Sequence, residues 1–291
     1  MKKFLVSLLT LIIAVSCVFC MTGCAEVEDG SKIQRVKMVL EVYDAAGNVK
    51  ETTDVYAKLY LNFAPKSTAH IIDLIEAGYY DGTCISNLNS NWLELGAYEY
   101  GTEGTIVKKA YDGKKIEGEF EKNGWTGNTL SIRQGAIVFK REYDGGNESK
   151  YNTATNALAI CLSTSASSNF SAKSYCILGM IVSDDADTDL GKKSSIGKLS
   201  ALTEYKDMED ADKNTVVTYY DEVNGKYYTK WTESTDNGSA VHYAEGAAVD
   251  EAHELTGAAK DTLVDRLSDE AHDFLVVPAV KLVIKTVTLS K

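Results

Sequence analysis

The chain has 291 residues, with 30 lysines and arginines set against 42 aspartates and glutamates, a net charge of −12. That balance lacks the basic footprint of a nucleic-acid binder and disfavours a phosphate-rich partner, so no nucleic acid is expected; the acidity suits solubility at a surface. A chain of this length can bury a full core, with room for a second subdomain.

The first residues fall into three consecutive parts. Met1-Lys2-Lys3 supplies positive charge, residues 4–19 are almost wholly apolar, and small residues then precede a cysteine. This is the layout of a secretory signal, and the run is short for a bilayer span, which needs about 20 apolar residues. Met21-Thr22-Gly23-Cys24 resembles the lipobox of bacterial lipoproteins, which implies cleavage after residue 23 and lipidation of Cys24. Ala14-Val15-Ser16-Cys17 is a second possible box, but cleavage there would leave Val18 to Met21 exposed, whereas Ala25 onward is polar and acidic. The expected location is therefore the extracytoplasmic face of the cell membrane, with residues 24–34 as a tether. Three cysteines remain beyond Cys24, namely Cys84, Cys161 and Cys176, an odd number that cannot all pair. Cys161 and Cys176 read as buried thiols acting as small apolar groups, with a disulfide as the alternative. No pair of the three has metal-ligand spacing, so neither a metal nor any other cofactor is expected.

Residues 36–43 alternate, with Val36, Met38, Leu40 and Val42 on one side, and predict a half-buried strand. A turn at residues 44–48 leads into a strand over residues 55–63. Pro65 follows, Ser67 and Thr68 offer a cap, and His70, Ile71, Leu74 and Ile75 recur at helical spacing until Gly78 stops the helix. Residues 79–83 form a tight turn. Residues 131–141, 157–162 and 175–182 read as buried strands. From Lys206 the character changes: residues 215–231 are two β-rich runs joined at Asn224-Gly225, a strong hairpin signal. Residues 236–246 read as a loop, residues 247–274 as helical with a break near Gly257, and residues 276–289 as a closing strand with Pro278 near its start. Tyr219, Tyr220, Tyr227, Tyr228 and Trp231 are either a binding face or, more simply, the side of the hairpin that packs. His242 and His253 lie near Asp250, Glu251 and Glu254 without a metal-binding spacing, and residues 163–168 place no base beside a serine.

Ala64-Pro65-Lys66-Ser67-Thr68, the helix, and then Gly78-Tyr79-Tyr80-Asp81-Gly82-Thr83 resemble the first helix and following turn of cyclophilins. Ile116-Glu117-Gly118-Glu119-Phe120 is similar to that family's Ile-x-x-Glu-Phe stretch. Gln134-Gly135 to Arg141, Asn156 to Leu162 and Cys176-Ile177-Leu178-Gly179 stand in the places of three later family segments. The resemblance implies a mainly β fold: a closed eight-stranded barrel capped by two helices. The barrel would occupy residues 35–205, with an α+β insertion at 206–272 and the closing strand at 273–291. It also implies cis–trans isomerisation of the bond before proline, whose uncatalysed crossing takes tens to hundreds of seconds. A donor on the prolyl nitrogen withdraws its lone pair from amide resonance and favours the twisted transition state.

The resemblance departs from the family where that chemistry sits. The position of the family's arginine falls on Asn87, and residues 84–100 contain no arginine or lysine. Trp92 and Leu93 stand for the pair lining the proline pocket, Leu95 for a glutamine, Ala159 for a phenylalanine, Phe170 for a tryptophan and Tyr175 for a histidine. Lys140 and Arg141, at a strand edge that faces peptide in the family, are the remaining candidate cations. The expected partners are proline-containing segments of exported proteins and, through the lipid, the membrane. Activity is expected to be weak, and the alternative is a non-catalytic peptide- or protein-binding lipoprotein on the same fold. A transporter's substrate-binding lipoprotein fits the anchor but not the order of strands.

Overall fold

Alternation along the first strand carries straight into the structure, a computed structural model. It describes residues 32–142, 147–182, 195–205, 215–235, 238–269 and 273–290. The expected signal segment, Cys24 and all of the tether before Lys32 lie outside the described residues. Val36, Met38, Leu40 and Val42 are buried along β1 (Ile33–Tyr43). The Asp44 carboxylate accepts the backbone N–H groups of Ala46 and Asn48, and Gly47 takes φ 81° to complete the turn into β2 (Val49–Tyr60). Helix α1 (Pro65–Glu76) follows, then β3 (Thr83–Leu88), β4 (Trp92–Tyr100) and β5 (Ile106–Lys108). Next come β6 (Ala136–Phe139), β7 (Leu158–Cys161), β8 (Cys176–Val182) and α2 (Ser195–Ala201).

Eight strands close into a ring in the order β3-β13-β1-β2-β8-β6-β7-β4, with β4 returning to β3 and β13 being Leu282–Ser290. Every neighbouring pair is antiparallel. Closure leaves none of the eight with an unpaired edge. Side chains fill the interior, and Ile71 and Ile75 of α1 join the same core as Val36, Ile284 and Val287. At Gly179 of β8 an added Cβ would lie 2.0 Å from the Lys58 carbonyl oxygen, so the approach of β2 to β8 admits only glycine there.

The N-terminus of α1 is capped differently from the sequence expectation. Ser67 and Thr68 are buried within the first turn, and Ala64 is the N-cap without a side-chain hydrogen bond. The acceptor comes from far along the chain: buried Glu119 takes the N–H of Lys66 at 3.1 Å and that of Ser67 at 2.7 Å. A carboxylate suits this place because the first N–H groups of a helix lack intrahelical partners and carry partial positive charge. At the other end Gly78, at φ 67°, stops the helix as expected, with Tyr79 N–H on the Leu74 carbonyl and Gly78 N–H on that of Ile75.

The segment between β8 and β13 holds a second sheet, β11-β10-β9-β12, made of β9 (Thr215–Asp221), β10 (Lys226–Thr235), β11 (Gly238–Glu245) and β12 (Phe274–Val277). Tyr220, Leu275 and Val277 pack against Cys84 and Ile106 of the barrel. The opposite face, with Tyr243 and Phe274, lies under Leu263 of α3 (Gly257–Asp269). The aromatic hairpin is thus a packing element, with Trp231 1% exposed.

Three expectations change here. Residues 238–245, read as loop, form β11 at the edge of the second sheet, paired with β10 and bridged through Ala244 to Glu254. The helix spans only Gly257–Asp269, and Phe274 belongs to a strand. Phe274–Val277 pairs with β9 and not with the barrel, so the closing strand starts at Leu282; Pro278 has no N–H to continue the first ladder.

Replacing Glu119 by alanine leaves two N–H groups of the first turn, that of Ser67 buried, without their acceptor. The expected loss is about 1–3 kcal/mol of folding stability, read as a lower denaturant midpoint, with Glu119→Gln losing less. An unchanged midpoint for Glu119→Ala would contradict this account of the helix.

Candidate functional site

A groove of about 780 Å³ is lined by Ser86 and Asn87 of β3, by Trp92, Glu94 and Tyr98 of β4, and by residues that follow β6 and precede β7. At one end stand Trp92 of β4, Phe170 and Tyr175; Asn87 and Lys140 line its middle course, and Tyr98 lies further along β4. The rings of Trp92 and Phe170 meet edge to face at 5.4 Å between centroids, as do those of Phe170 and Tyr175 at 5.2 Å. This arrangement is favourable for aromatic pairs and leaves a rigid apolar shelf.

Lys140 extends from β6 over the Phe170 ring, 5.4 Å from its centroid, and pairs with Glu94 at 2.7 Å. The same Glu94 oxygen accepts the Trp92 indole N–H at 3.1 Å. One carboxylate therefore engages both Trp92 and Lys140, one of four lysines on the groove wall. Arg141 is only 7% exposed and lies over Phe120, Tyr151 and Tyr175, within 5.4 Å of each ring centroid. Its Nε and Nη2 donate to the Ser174 carbonyl at 3.2 and 3.0 Å, and its Nη1 to the Glu142 carbonyl. That guanidinium holds the groove wall together.

Asn87, on β3, is half-buried and accepts a long hydrogen bond of 3.5 Å from the Asn89 side chain. The structure thus gathers Asn87, Lys140, Arg141, Trp92, Phe170 and Tyr175 around one groove. It does not bring Leu93, Leu95 or Ala159 to its surface. Leu93 and Leu95 are at most 2% exposed and belong to the barrel core, because alternation along β4 turns Trp92 and Glu94 outward and their neighbours inward. Ala159 is fully buried opposite Glu94 in the ladder and supports the shelf from below. These three positions are corrected from substrate contact to core.

The sequence reading missed Glu94, Asn156, Tyr111 and three residues of the insertion, Glu222, Phe274 and Leu275, all on the groove wall. Glu94 was within reach of the period-two rule once Trp92 was placed. Asn156 is buried and donates to Tyr79 Oη at 2.5 Å and to the Gly96 carbonyl, tying the strand ends together. Tyr98 donates to Glu222 at 2.5 Å, and burial followed by that hydrogen bond pushes the Tyr98 hydroxyl far up from its ordinary range. Among the described residues no group of three His, Cys, Asp or Glu side chains is placed to hold a metal ion.

Residues 48–188 match the family described as cyclophilin type peptidyl-prolyl cis-trans isomerase/CLD, a span from the start of β2 past β8 that leaves out the second sheet. No curated protein matches the chain. Among solved structures, a cyclophilin type peptidyl-prolyl cis-trans isomerase of Cryptosporidium parvum is 13% identical, with 89% of this chain and 99% of that one covered and a TM-score of 0.42. The Mimivirus cyclophilin is 14% identical over 65% and 88% of the two chains, with a TM-score of 0.41. A cyclophilin from Hirschia baltica is 11% identical over 88% and 95%, with a TM-score of 0.32.

The three described cysteines, Cys84, Cys161 and Cys176, are free and buried, and burial pushes each thiol up to about 12. Only the thiolate reacts, so at neutral pH its fraction is on the order of one in ten thousand or less. Alkylation of the folded chain, resolved by mass, is expected to leave all three unmodified, and unfolding to release them together. Rapid labelling of any of the three in the folded state would contradict their placement.

Proposed function

We propose that the chain, whose residues 48–188 match the cyclophilin-type peptidyl-prolyl cis-trans isomerase family, receives proline-containing segments of exported polypeptides at a membrane surface and turns them over slowly. The observation that carries this reading is Asn87 on the groove wall, at the place where the resemblance expects a cation. An amide can donate to the prolyl nitrogen, but charge-assisted hydrogen bonds are roughly twice as strong as neutral ones. Loss of one preorganised transition-state donor costs on the order of a hundredfold or more in rate.

Neither nearby cation is a ready substitute. Lys140 is paired with Glu94, and the Arg141 guanidinium is buried among three rings with its N–H groups on carbonyls. The capacity to hold a peptide is better preserved, since the half-buried rings of Trp92 and Tyr175, backed by buried Phe170, offer apolar surface to a pyrrolidine. A non-catalytic peptide binder is the second reading, favoured by the same pairing of Lys140 with Glu94. The location rests on the amino-terminal sequence: a signal of residues 1–23 and a lipid on Cys24. Among the described residues no helix is long and apolar enough to cross a membrane.

A protease-coupled isomerisation assay tests the catalytic half. Asn87→Arg is expected to raise kcat/KM for a proline peptide by about tenfold or more. A fast wild-type enzyme that gains nothing from Asn87→Arg would overturn the reading. For the location, Cys24→Ala is expected to move the protein from the membrane to the soluble fraction; retention in the membrane would refute the anchor.

A further inference from the structure

We propose that the insertion builds a second subsite on the groove, centred on Glu222, which takes a basic residue about six positions from the proline of a bound peptide. This rests on the reading that the groove receives proline-containing peptides. Glu222 follows β9, and Phe274 and Leu275 open β12; all three lie outside residues 48–188, yet they line the same groove as Trp92 and Lys140. Trp92 and Tyr98 stand six residues apart on β4, which is at most roughly 20 Å at about 3.3 Å per residue, because the ladder with β3 shifts register between them and Gly96 takes φ 93°. An extended peptide laid along that strand, with its proline at the Trp92–Phe170 shelf, brings a residue about six positions away to Glu222.

The chemistry at that end favours a cation. The Glu222 side chain is 16% exposed, among Tyr98, Phe274 and Leu275 on the groove wall. Its Oε1 accepts from Tyr98 Oη at 2.5 Å, which holds the carboxylate in place, and its backbone N–H is fixed on the Asp273 carbonyl. Its one cationic partner among the described residues is Lys108 at 3.2 Å, whose side chain is 74% exposed. An ion pair to so exposed a lysine is weak and exchangeable. An incoming arginine or lysine can displace Lys108 and keep its aliphatic or planar part against the aromatic wall. The Glu222 Oε2 carries no hydrogen bond among the described residues and remains to receive it.

The test uses the full chain and fluorescence anisotropy with labelled peptides that carry one proline and either arginine or glutamate six residues from it, on each side in turn. In one of the two directions the arginine peptide is expected to bind about tenfold more tightly, with the preference shrinking as salt rises. Glu222→Gln, which keeps an acceptor for Tyr98, should remove that preference and leave the glutamate peptide's affinity unchanged. Lys108→Ala should leave the arginine peptide as tight or tighter, because it removes the competing ammonium. Equal binding of the two peptides, a preference that survives Glu222→Gln, or a loss with Lys108→Ala equal to that with Glu222→Gln would overturn the proposal. Binding of no proline peptide at all would instead sink the groove reading, and the subsite with it.

Discussion

Everything in this fold depends on the insertion of the last strand, β13, between β1 and β3. Val36 faces Leu289 on one side and Val283 faces Cys84 on the other, and without that strand the ring would be left with two open edges. Such a contact joins opposite ends of the chain, the kind of non-local pairing that is slow to form and rewarding once made. It also constrains what precedes it. Residues 278–281 are all that separate β12 from β13, so the second sheet must end beside β3. That is why Tyr220, Leu275 and Val277 pack on Cys84 and Ile106, and why Glu222 reaches the far end of the groove. Chain connectivity, more than any single contact, makes the insertion part of the site.

The groove's electrostatics follow from a second constraint, the scarcity of unneutralised charge. Glu94 serves the Trp92 indole and Lys140 together, while Arg141 is held by rings and carbonyls. A preorganised donor lowers a barrier only if it is aimed at the charge that develops in the transition state. Here Lys140 and Arg141 are already engaged in holding the walls. Under the proposed function, the shelf that would grip a proline is therefore better preserved than the donor that would twist its peptide bond.

Much of the barrel was legible in the sequence because its strands alternate and its turns use glycine at positions that need positive φ, as at Gly47 and Gly78. The helix stop was legible for the same reason. Its start was not, because Glu119 lies about fifty residues from the N–H groups it accepts, and no local pattern announces such a contact. Asn87, Trp92, Phe170 and Tyr175 were picked out by position relative to a resembling family, and all four line the groove. Leu93, Leu95 and Ala159 went wrong because that correspondence fixes order along the chain but not which side of a strand faces out. Edge strand β11 was hidden between Gly238 and Gly246, which read as loop, and Glu222 by the want of any signal linking an insertion to a groove.

The central claim is that the groove binds proline peptides while doing little to interconvert their isomers. Two-dimensional exchange NMR on a proline peptide, with the protein's own amide shifts followed in the same samples, tests both halves at once. The account predicts shift changes at Trp92 and Lys140 that saturate with peptide, and exchange peaks between cis and trans no stronger than those without protein. Strong exchange peaks at catalytic protein concentrations, or an absence of shifts around the groove, would contradict it.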